Sequence, residues 1–302
     1  MRVFLTGATG FIGTAITREL QSAGHQILGL ARSEAAAATL RQAGVEPHFS
    51  DLLDHDALAS GARGADGVIH TAYIHDFSNI AAPSDIDAAA VSVMAQALKG
   101  SGKPLIITSG VTVLPQGRLG SEADAPDPAS VAKHRLPSER LCLEAVANGV
   151  GAMIVRPAPS VHGSGDHGFI PFLYSIAKQR SFAAYVEDGA NRWPAVHVLD
   201  AARLYRLALE KGAAGAIYHA VADRAVPFRH IAEVIARHLG VQLVALRRQE
   251  AASYFGGFEG FAALDLPTSS EWTKKELGWT PSQIDLLTDI GNPGYFRQSA
   301  LR

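Results

Sequence analysis

The chain has 302 residues, 47% of them hydrophobic, which is enough to bury a large core and suits one nucleotide-binding domain with a smaller lobe better than two equal domains. A formal net charge of −2, without any run of Lys or Arg, provides no basic field and excludes nucleic acid as a partner. The single cysteine, Cys142, excludes an intrachain disulfide, and no apolar segment approaches the length of a bilayer span, so a reducing cytoplasm fits and no membrane partner is expected.

Residues 1–5 read as an apolar strand that begins at once, leaving no room for a signal peptide. Thr6-Gly7-Ala8-Thr9-Gly10-Phe11-Ile12-Gly13 follows directly, and an amphipathic helix over 14–23 opens from it. Strand, glycine turn and helix in that order let the backbone pass close to a pyrophosphate, whose charge rests on the free N–H groups of the helix start. Glycine spacing taken alone also fits an ordinary tight turn. Its place behind an opening strand, with a second strand over 25–30, points instead to a dinucleotide held by Gly7, Thr9, Gly10, Phe11, Ile12 and Gly13.

With two residues between each pair of glycines, this stretch resembles the extended short-chain dehydrogenase/reductases, the NAD-dependent epimerase/dehydratase group. The resemblance implies an α/β fold, a Rossmann-type doubly wound parallel sheet with a smaller C-terminal α/β substrate lobe, a nicotinamide cofactor and a small-molecule substrate. The expected division is a cofactor domain over 1–160 plus 194–212, and a substrate lobe over 161–193 and 213–302.

The second strand runs into Ala31-Arg32-Ser33 with no carboxylate until Glu34. An acid at this point would accept from the ribose 2′-hydroxyl of NAD, whereas Arg32 beside Ser33 suits the 2′-phosphate of NADP. The cofactor therefore reads as NADP, with NAD as the alternative if Arg32 is only a solvated strand-end charge. After a helix over 34–43 and a strand over 45–49, the resemblance sets Asp51 on the adenine amino group and Leu52 on its ring, while a helix cap is the local alternative for an Asp here. A strand over 67–70 then delivers Thr71, Ala72 and Tyr73 to the place the family lays along the cofactor.

A helix over 88–98 precedes a strand over 104–108 that ends in Thr108-Ser109-Gly110. The resemblance puts Gly110 where the family carries a substrate-binding hydroxyl, leaving Ser109 and Thr108 as neighbours. The next helix, over 132–147, is where the family carries Tyr, three residues, then Lys, yet the chain has no tyrosine between Tyr73 and Tyr174. Val131 takes the Tyr position and Arg135 the Lys position. Arg135 can hold the nicotinamide ribose but cannot relay protons, so Ser109, Tyr73 and Arg135 are the catalytic candidates, with a bound water as a further donor. On a regular helix Lys133 and His134 would point away from the Val131 and Arg135 face. Cys142 falls in an apolar helical pattern and reads as a core residue.

A strand over 153–155 closes in Arg156-Pro157, where the family lines the nicotinamide with Pro157 and the residues after it. The polar, Gly-rich stretch from Val161 to Gly168 reads as a substrate-recognition loop with His162 in it; two histidines and a lone cysteine without a third spaced ligand give no metal site. The resemblance makes Arg192 and Trp193 a charge and a flat wall for substrate, with His197 and Asp200 structural and Asp200 capping the helix over 201–211. Tyr254-Phe255-Gly256-Gly257-Phe258 is either a mobile flap or an aromatic helix end packed in the lobe, and the tail after Ile290 reads as poorly ordered. Family members pair through helices equivalent to 88–98 and 132–147, so a homodimer is an expectation, although burial within one copy explains the same apolar faces. The function expected is NAD(P)-dependent oxidation or reduction of a small carbonyl or alcohol. The alternatives are a redox sensor without chemistry and a nucleotide-sugar epimerase or dehydratase.

Overall fold

The computed structural model describes residues 1–74 and 81–296. Seven strands build the main sheet: β1 (Arg2–Thr6), β2 (Gln26–Ala31), β3 (Glu46–Phe49), β4 (Gly67–His70), β5 (Pro104–Thr108), β6 (Gly151–Pro157) and β10 (Ile217–Ala220). All pair in parallel, in the order β3-β2-β1-β4-β5-β6-β10. Both faces are covered, as parallel sheets require, and alternation along β1 shows how. Val3 and Leu5 enter one core cluster while Phe4 enters the other.

The first cluster lies under α1 (Phe11–Ser22) and α7 (Val198–Lys211), with α2 (Glu34–Gln42) beside them. The second lies under α3 (His55–Arg63), α4 (Ala81–Ala97) and α5 (Leu136–Val146). Cys142 belongs to that second core, where burial pushes its thiol up to about 12. Strand order reverses between β1 and β4, and ligands of such sheets bind in the crevice at that reversal, outside the carboxyl ends of the strands.

The remaining elements form a third, separate apolar cluster. A three-stranded sheet joins β7 (Ser160–His162), β9 (Arg192–His197) and β11 (Asp223–Pro227), and β8 (Phe182–Val186) pairs with β12 (Gln242–Leu246). Around them pack α6 (Phe169–Arg180), α8 (Phe228–Leu239), α9 (Arg248–Phe255) and α10 (Glu259–Ala262). The segment carrying α11 (Glu271–Leu277) returns to the main sheet, where Leu277 and Trp279 join its core, before α12 (Leu286–Ile290) rejoins the lobe.

Four expectations change. The helix expected from residue 132 begins at Leu136, because Pro137 at its first turn fixes the start; Lys133–Arg135 form a 3₁₀ turn instead. His197, not Asp200, caps α7 by accepting from the Leu199 N–H at 3.2 Å, while Asp200 accepts from the amides of Ser282 and Gln283. The tail is packed as far as it is described: Tyr295 and Phe296 sit in the lobe core, and the Tyr295 hydroxyl donates to Asp166 at 2.5 Å. Residues 297–302 lie outside the described residues. Trp193, expected against substrate, is wholly buried among Phe169, Phe228 and Phe258, and its indole N–H donates to the Phe261 carbonyl at 3.2 Å.

That placement makes Trp193 a stability residue. Trp193→Ala is expected to cost about 3–5 kcal/mol, the loss typical of a large buried ring, in denaturant unfolding. A loss below about 1 kcal/mol would put the ring outside the core.

Candidate active site

Two glycines of the opening turn are fixed by the protein's own packing. Gly7 has φ +74°, and a Cβ there would lie 2.7 Å from Thr71 Oγ1 and 2.8 Å from the Ala72 nitrogen. At Gly13 a Cβ would stand 2.0 Å from the Gly7 carbonyl oxygen. Gly10 differs, since its φ of −77° suits any residue and a Cβ there would meet only the Gly7 oxygen, at 3.2 Å. Thr9 and Gly10 are exposed, and the first turn of α1, which begins with Phe11, Ile12 and Gly13, has no side-chain cap. A missing side chain in front of uncapped helix amides is the cradle a dinucleotide pyrophosphate fits.

The far end of the cradle is less committed. β2 runs through Ala31, so no carboxylate stands at its end; Arg32 is exposed and has no ion pair among the described residues, and Ser33 caps α2 by accepting from Ala36 at 3.2 Å. Asp51 closes the turn after β3, accepting from the amides of Leu53 and Asp54 at 2.8 and 3.1 Å. Leu52 packs into the core with Leu28 and Leu58.

Beneath the strand ends lies a buried polar chain that begins in the register of β1 and β4, where Thr6 pairs with His70. Thr6 Oγ1 accepts from the Ala72 N–H and donates to His70 Nδ1 at 2.7 Å; His70 Nε2 donates to Asp87 Oδ1 at 3.1 Å. The other Asp87 oxygen accepts from the Ser138 hydroxyl and lies 3.5 Å from Arg135 Nη1. Asp87 is 1% exposed. Burial raises its carboxyl, but the hydrogen bond from His70, the Arg135 charge and the Ser138 hydroxyl together outweigh burial and hold it below the usual carboxylate range.

The 3₁₀ turn before α5 aims Arg135 at this carboxylate. Its Nη2 donates to the Thr108 carbonyl, and its guanidinium carbon lies 4.0 Å from the centre of the Tyr73 ring. The same turn carries His134 to 6.1 Å from that ring, so His134 does not point away as a regular helix would direct it; Lys133 is exposed. Burial raises the Tyr73 phenol and outweighs the lowering pull of Arg135, so Tyr73 stays protonated at neutral pH.

Of the hydroxyls at the end of β5, Thr108 is already engaged. Its Oγ1 is 2.7 Å from the hydroxyl of Tyr205, itself raised far above its ordinary value by burial. Ser109 is not: its Oγ is buried without a hydrogen-bond partner among the described residues, and so is Arg135 Nη1. Ser109 follows the residue whose carbonyl Arg135 holds, so its hydroxyl and the Asp87-paired guanidinium flank Thr108.

The lobe side is tied inward. Pro157 ends β6 in the core, behind the Arg156–Glu139 pair at 2.6 and 2.8 Å. His162 is wholly buried, with Nδ1 2.8 Å from Asp289, whereas His167 is exposed and edges onto Phe11 at 5.8 Å; the two histidines therefore do not share a site. Arg192 is committed to Asp265 through two bonds at 2.8 and 2.7 Å, which leaves it no free fork for a substrate anion. His162 and Trp193 are core groups here, because each finds its partner inside the lobe.

Sequence reasoning misses His70, Asp87 and Ser138. A signal for them is present: Ser84, Asp87, Val91 and Met94 repeat at helical spacing on the buried stripe of α4, where a carboxylate needs a partner. The stability Asp87 contributes is complete above the pKa it has when unfolded and is lost as pH falls through its depressed folded value. Asp87→Asn is expected to destabilise the protein at pH 7 by on the order of 3 kcal/mol, by leaving Arg135 buried without its counter-charge. The gap between variant and wild type should close as pH drops through the carboxylate range in parallel denaturant titrations; a pH-independent gap would refute an ionised Asp87.

A sequence profile described as the NAD dependent epimerase/dehydratase family matches residues 3–221. An uncharacterized protein of Schizosaccharomyces pombe is 44% identical over 298 residues, covering 98% of this chain and 100% of its own. The sterol-4-alpha-carboxylate 3-dehydrogenase (decarboxylating) of Dictyostelium discoideum is 30% identical over 242 residues, 75% of this chain and 73% of that one. Among solved structures, the dTDP-glucose 4,6-dehydratase DesIV of Streptomyces venezuelae, with NAD and TYD bound, has a TM-score of 0.79 at 21% identity, over 99% of this chain and 96% of that one, which shows the shared fold. Profile, cradle and strand order agree, and the chain belongs to the NAD-dependent epimerase/dehydratase family.

Proposed function

We propose that the protein is an NADP(H)-dependent oxidoreductase that interconverts a small carbonyl compound and its alcohol. The observation that carries this reading is the buried Ser109 Oγ, without a hydrogen-bond partner among the described residues, at the carboxyl end of β5 and next to the Thr108 carbonyl that the Arg135 guanidinium holds. Buried donors without partners are destabilising, and that cost is offset where a ligand oxygen completes them. Bound nicotinamide would supply hydride exchange with the carbonyl carbon. Ser109 and Arg135 would bind the carbonyl oxygen and hold the negative charge it gains, a role for which a permanently charged guanidinium suits better than a titrating one. Because Arg135 gives up no proton, the proton on the oxygen would pass from a neutral hydroxyl, Ser109 or Tyr73, replenished by water.

Arg32 without an ion pair among the described residues and the lack of an acid at the end of β2 support the phosphorylated cofactor. The commitment of Arg192 to Asp265 argues against a nucleotide-sugar diphosphate as substrate. The absence of a phenol on the α5 side favours a second reading, a sensor that binds NADP(H) without chemistry.

The test combines direct binding with turnover. NADPH is expected to bind more tightly than NADH, with Arg32→Ala removing the difference. Gly10→Val should lower NADPH affinity at least about tenfold with the unfolding midpoint retained, since its side chain enters the cradle rather than the core. Against a panel of aldehydes and ketones, Ser109→Ala is expected to lower kcat/KM about a hundredfold. Tight NADPH binding with no turnover by the wild type would select the sensor, and no binding of either nicotinamide cofactor would end both readings.

A further inference from the structure

The Gly-rich loop after β7 carries a histidine that the site described so far does not use. His162, at the end of β7, is wholly buried and bonded to Asp289, but His167 further along is exposed. Its ring meets Phe11 edge-on, with 5.8 Å between ring centroids and 68° between the planes. Phe11 is the first residue of α1, so a side chain from the substrate lobe touches the residue that opens the cradle of the main sheet. The loop is held in that place by its own packing. Gly163 has φ +138°, and a Cβ there would stand 2.8 Å from Val198 Cγ1 and 3.1 Å from His197 Nε2, so glycine lets the loop lie against the start of α7. That helix is in turn tied to α1, Arg206 donating to Glu19 at 2.7 Å.

Hydrogen bonding fixes the ring as well. The Asp166 N–H donates to the Gly163 carbonyl at 3.1 Å, and the Asp166 carboxyl is turned into the lobe, accepting from the Gly168 N–H at 2.7 Å and the Tyr295 hydroxyl at 2.5 Å. His167, next in the chain, is left facing out beside α1. Its Nδ1 lies 3.2 Å from the Gly165 carbonyl oxygen, which can only accept, so Nδ1 carries a proton. Nε2 makes no hydrogen bond among the described residues. With Nδ1 given to the carbonyl, Nε2 can donate only as part of an imidazolium, the form that an anion beside it favours.

We propose, on the NADP(H) binding that both readings above share, that His167 is a cofactor-binding residue whose Nε2 donates to the pyrophosphate held by the α1 amides. The anion is then bound by both parts of the chain. The stretch from Thr6 to Gly13 contains no cation, and a helix start answers a phosphate charge only with the partial charges of its amides. An imidazolium supplies the full charge that the cradle lacks, and a charge-assisted hydrogen bond is stronger than a neutral one. Because the ring is placed by folding, against Phe11 and the Gly165 carbonyl, little further ordering is needed when the cofactor arrives.

The experiment measures NADPH affinity by calorimetry for the wild type, H167A, H167F and H167K. H167F keeps a ring against Phe11 and loses the donor, whereas H167K loses the ring and keeps a cation. H167A and H167F are expected to bind NADPH about tenfold more weakly, as for a lost hydrogen bond to a charged group, with the unfolding midpoint unchanged. H167K should stay within about threefold of the wild type. In a Gly10→Val background, where a side chain already occupies the cradle, H167A should cost less than about threefold, because the two changes act on one contact. Wild-type affinity in H167A or H167F, equal weakening in H167A and H167K, or full additivity with Gly10→Val overturns the proposal and leaves the oxidoreductase reading standing. Unchanged NADPH affinity in H167A with a lowered kcat/KM for carbonyls assigns His167 to the substrate and overturns it too. No NADPH binding by the wild type overturns that reading and this one with it.

Discussion

Asp87 is the group on which the rest of the site hangs. A carboxylate this deeply buried is sustainable only with its charge answered and its lone pairs filled, and both are done by groups from three different elements: His70 from β4, Ser138 from α5, and Arg135 from the turn before α5. The same carboxylate reaches the cradle, because His70 is bonded to Thr6 at the end of β1 and Thr6 accepts the Ala72 amide that closes over Gly7. A displacement of α4 would therefore be felt both at the guanidinium and at the pyrophosphate turn. The position of Arg135 is a consequence of charge balance more than of helix geometry.

That balance explains how the chain departs from the pattern its family resemblance implies. A lysine ammonium is a compact point charge that can change protonation state; a guanidinium is planar, always charged and able to bond in several directions at once. Arg135 uses this by spanning the Asp87 carboxylate, the Thr108 carbonyl and the face of Tyr73 together. Val131, which the resemblance sets at the phenol position, packs against the apolar cluster of the lobe. In the reading proposed above, the charge of Arg135 polarises the carbonyl and takes the place of a proton relay.

Much of the fold is legible in the sequence because period and punctuation agree. The apolar runs of β1, β2, β4 and β5, the glycine turn after β1 and the Arg-Pro end of β6 mark the strand succession, and parallel pairing with crossovers leaves few arrangements for it. The cradle is legible for the same reason, since its chemistry is backbone chemistry and its glycines are contiguous. The rest of the site is not, because it is assembled across long separations. Arg192 and Trp193 resemble substrate apparatus, yet their partners Asp265 and Phe261 lie about seventy residues on, and no local pattern announces them. The start of α5 falls four residues beyond the place a motif alignment gives it, which is enough to turn His134 the other way; Pro137 carries the correct signal, and the motif outweighs it only on paper.

Conformational entropy gives a reason for the firm tie between the lobe and its own tail. The Gly-rich loop after β7 is anchored to the C-terminal segment, through His162 to Asp289 and through Asp166 to Tyr295, and its His167 rests against Phe11 of the cradle. Burial pushes the Asp166 carboxyl up, and the hydrogen bonds from the Tyr295 phenol and the Gly168 amide offset part of that desolvation. A Gly-rich loop left free would lose entropy each time a ligand bound; one already clamped has met that cost in folding. The loop beside the crevice is therefore shaped by folding itself, through contacts within the chain.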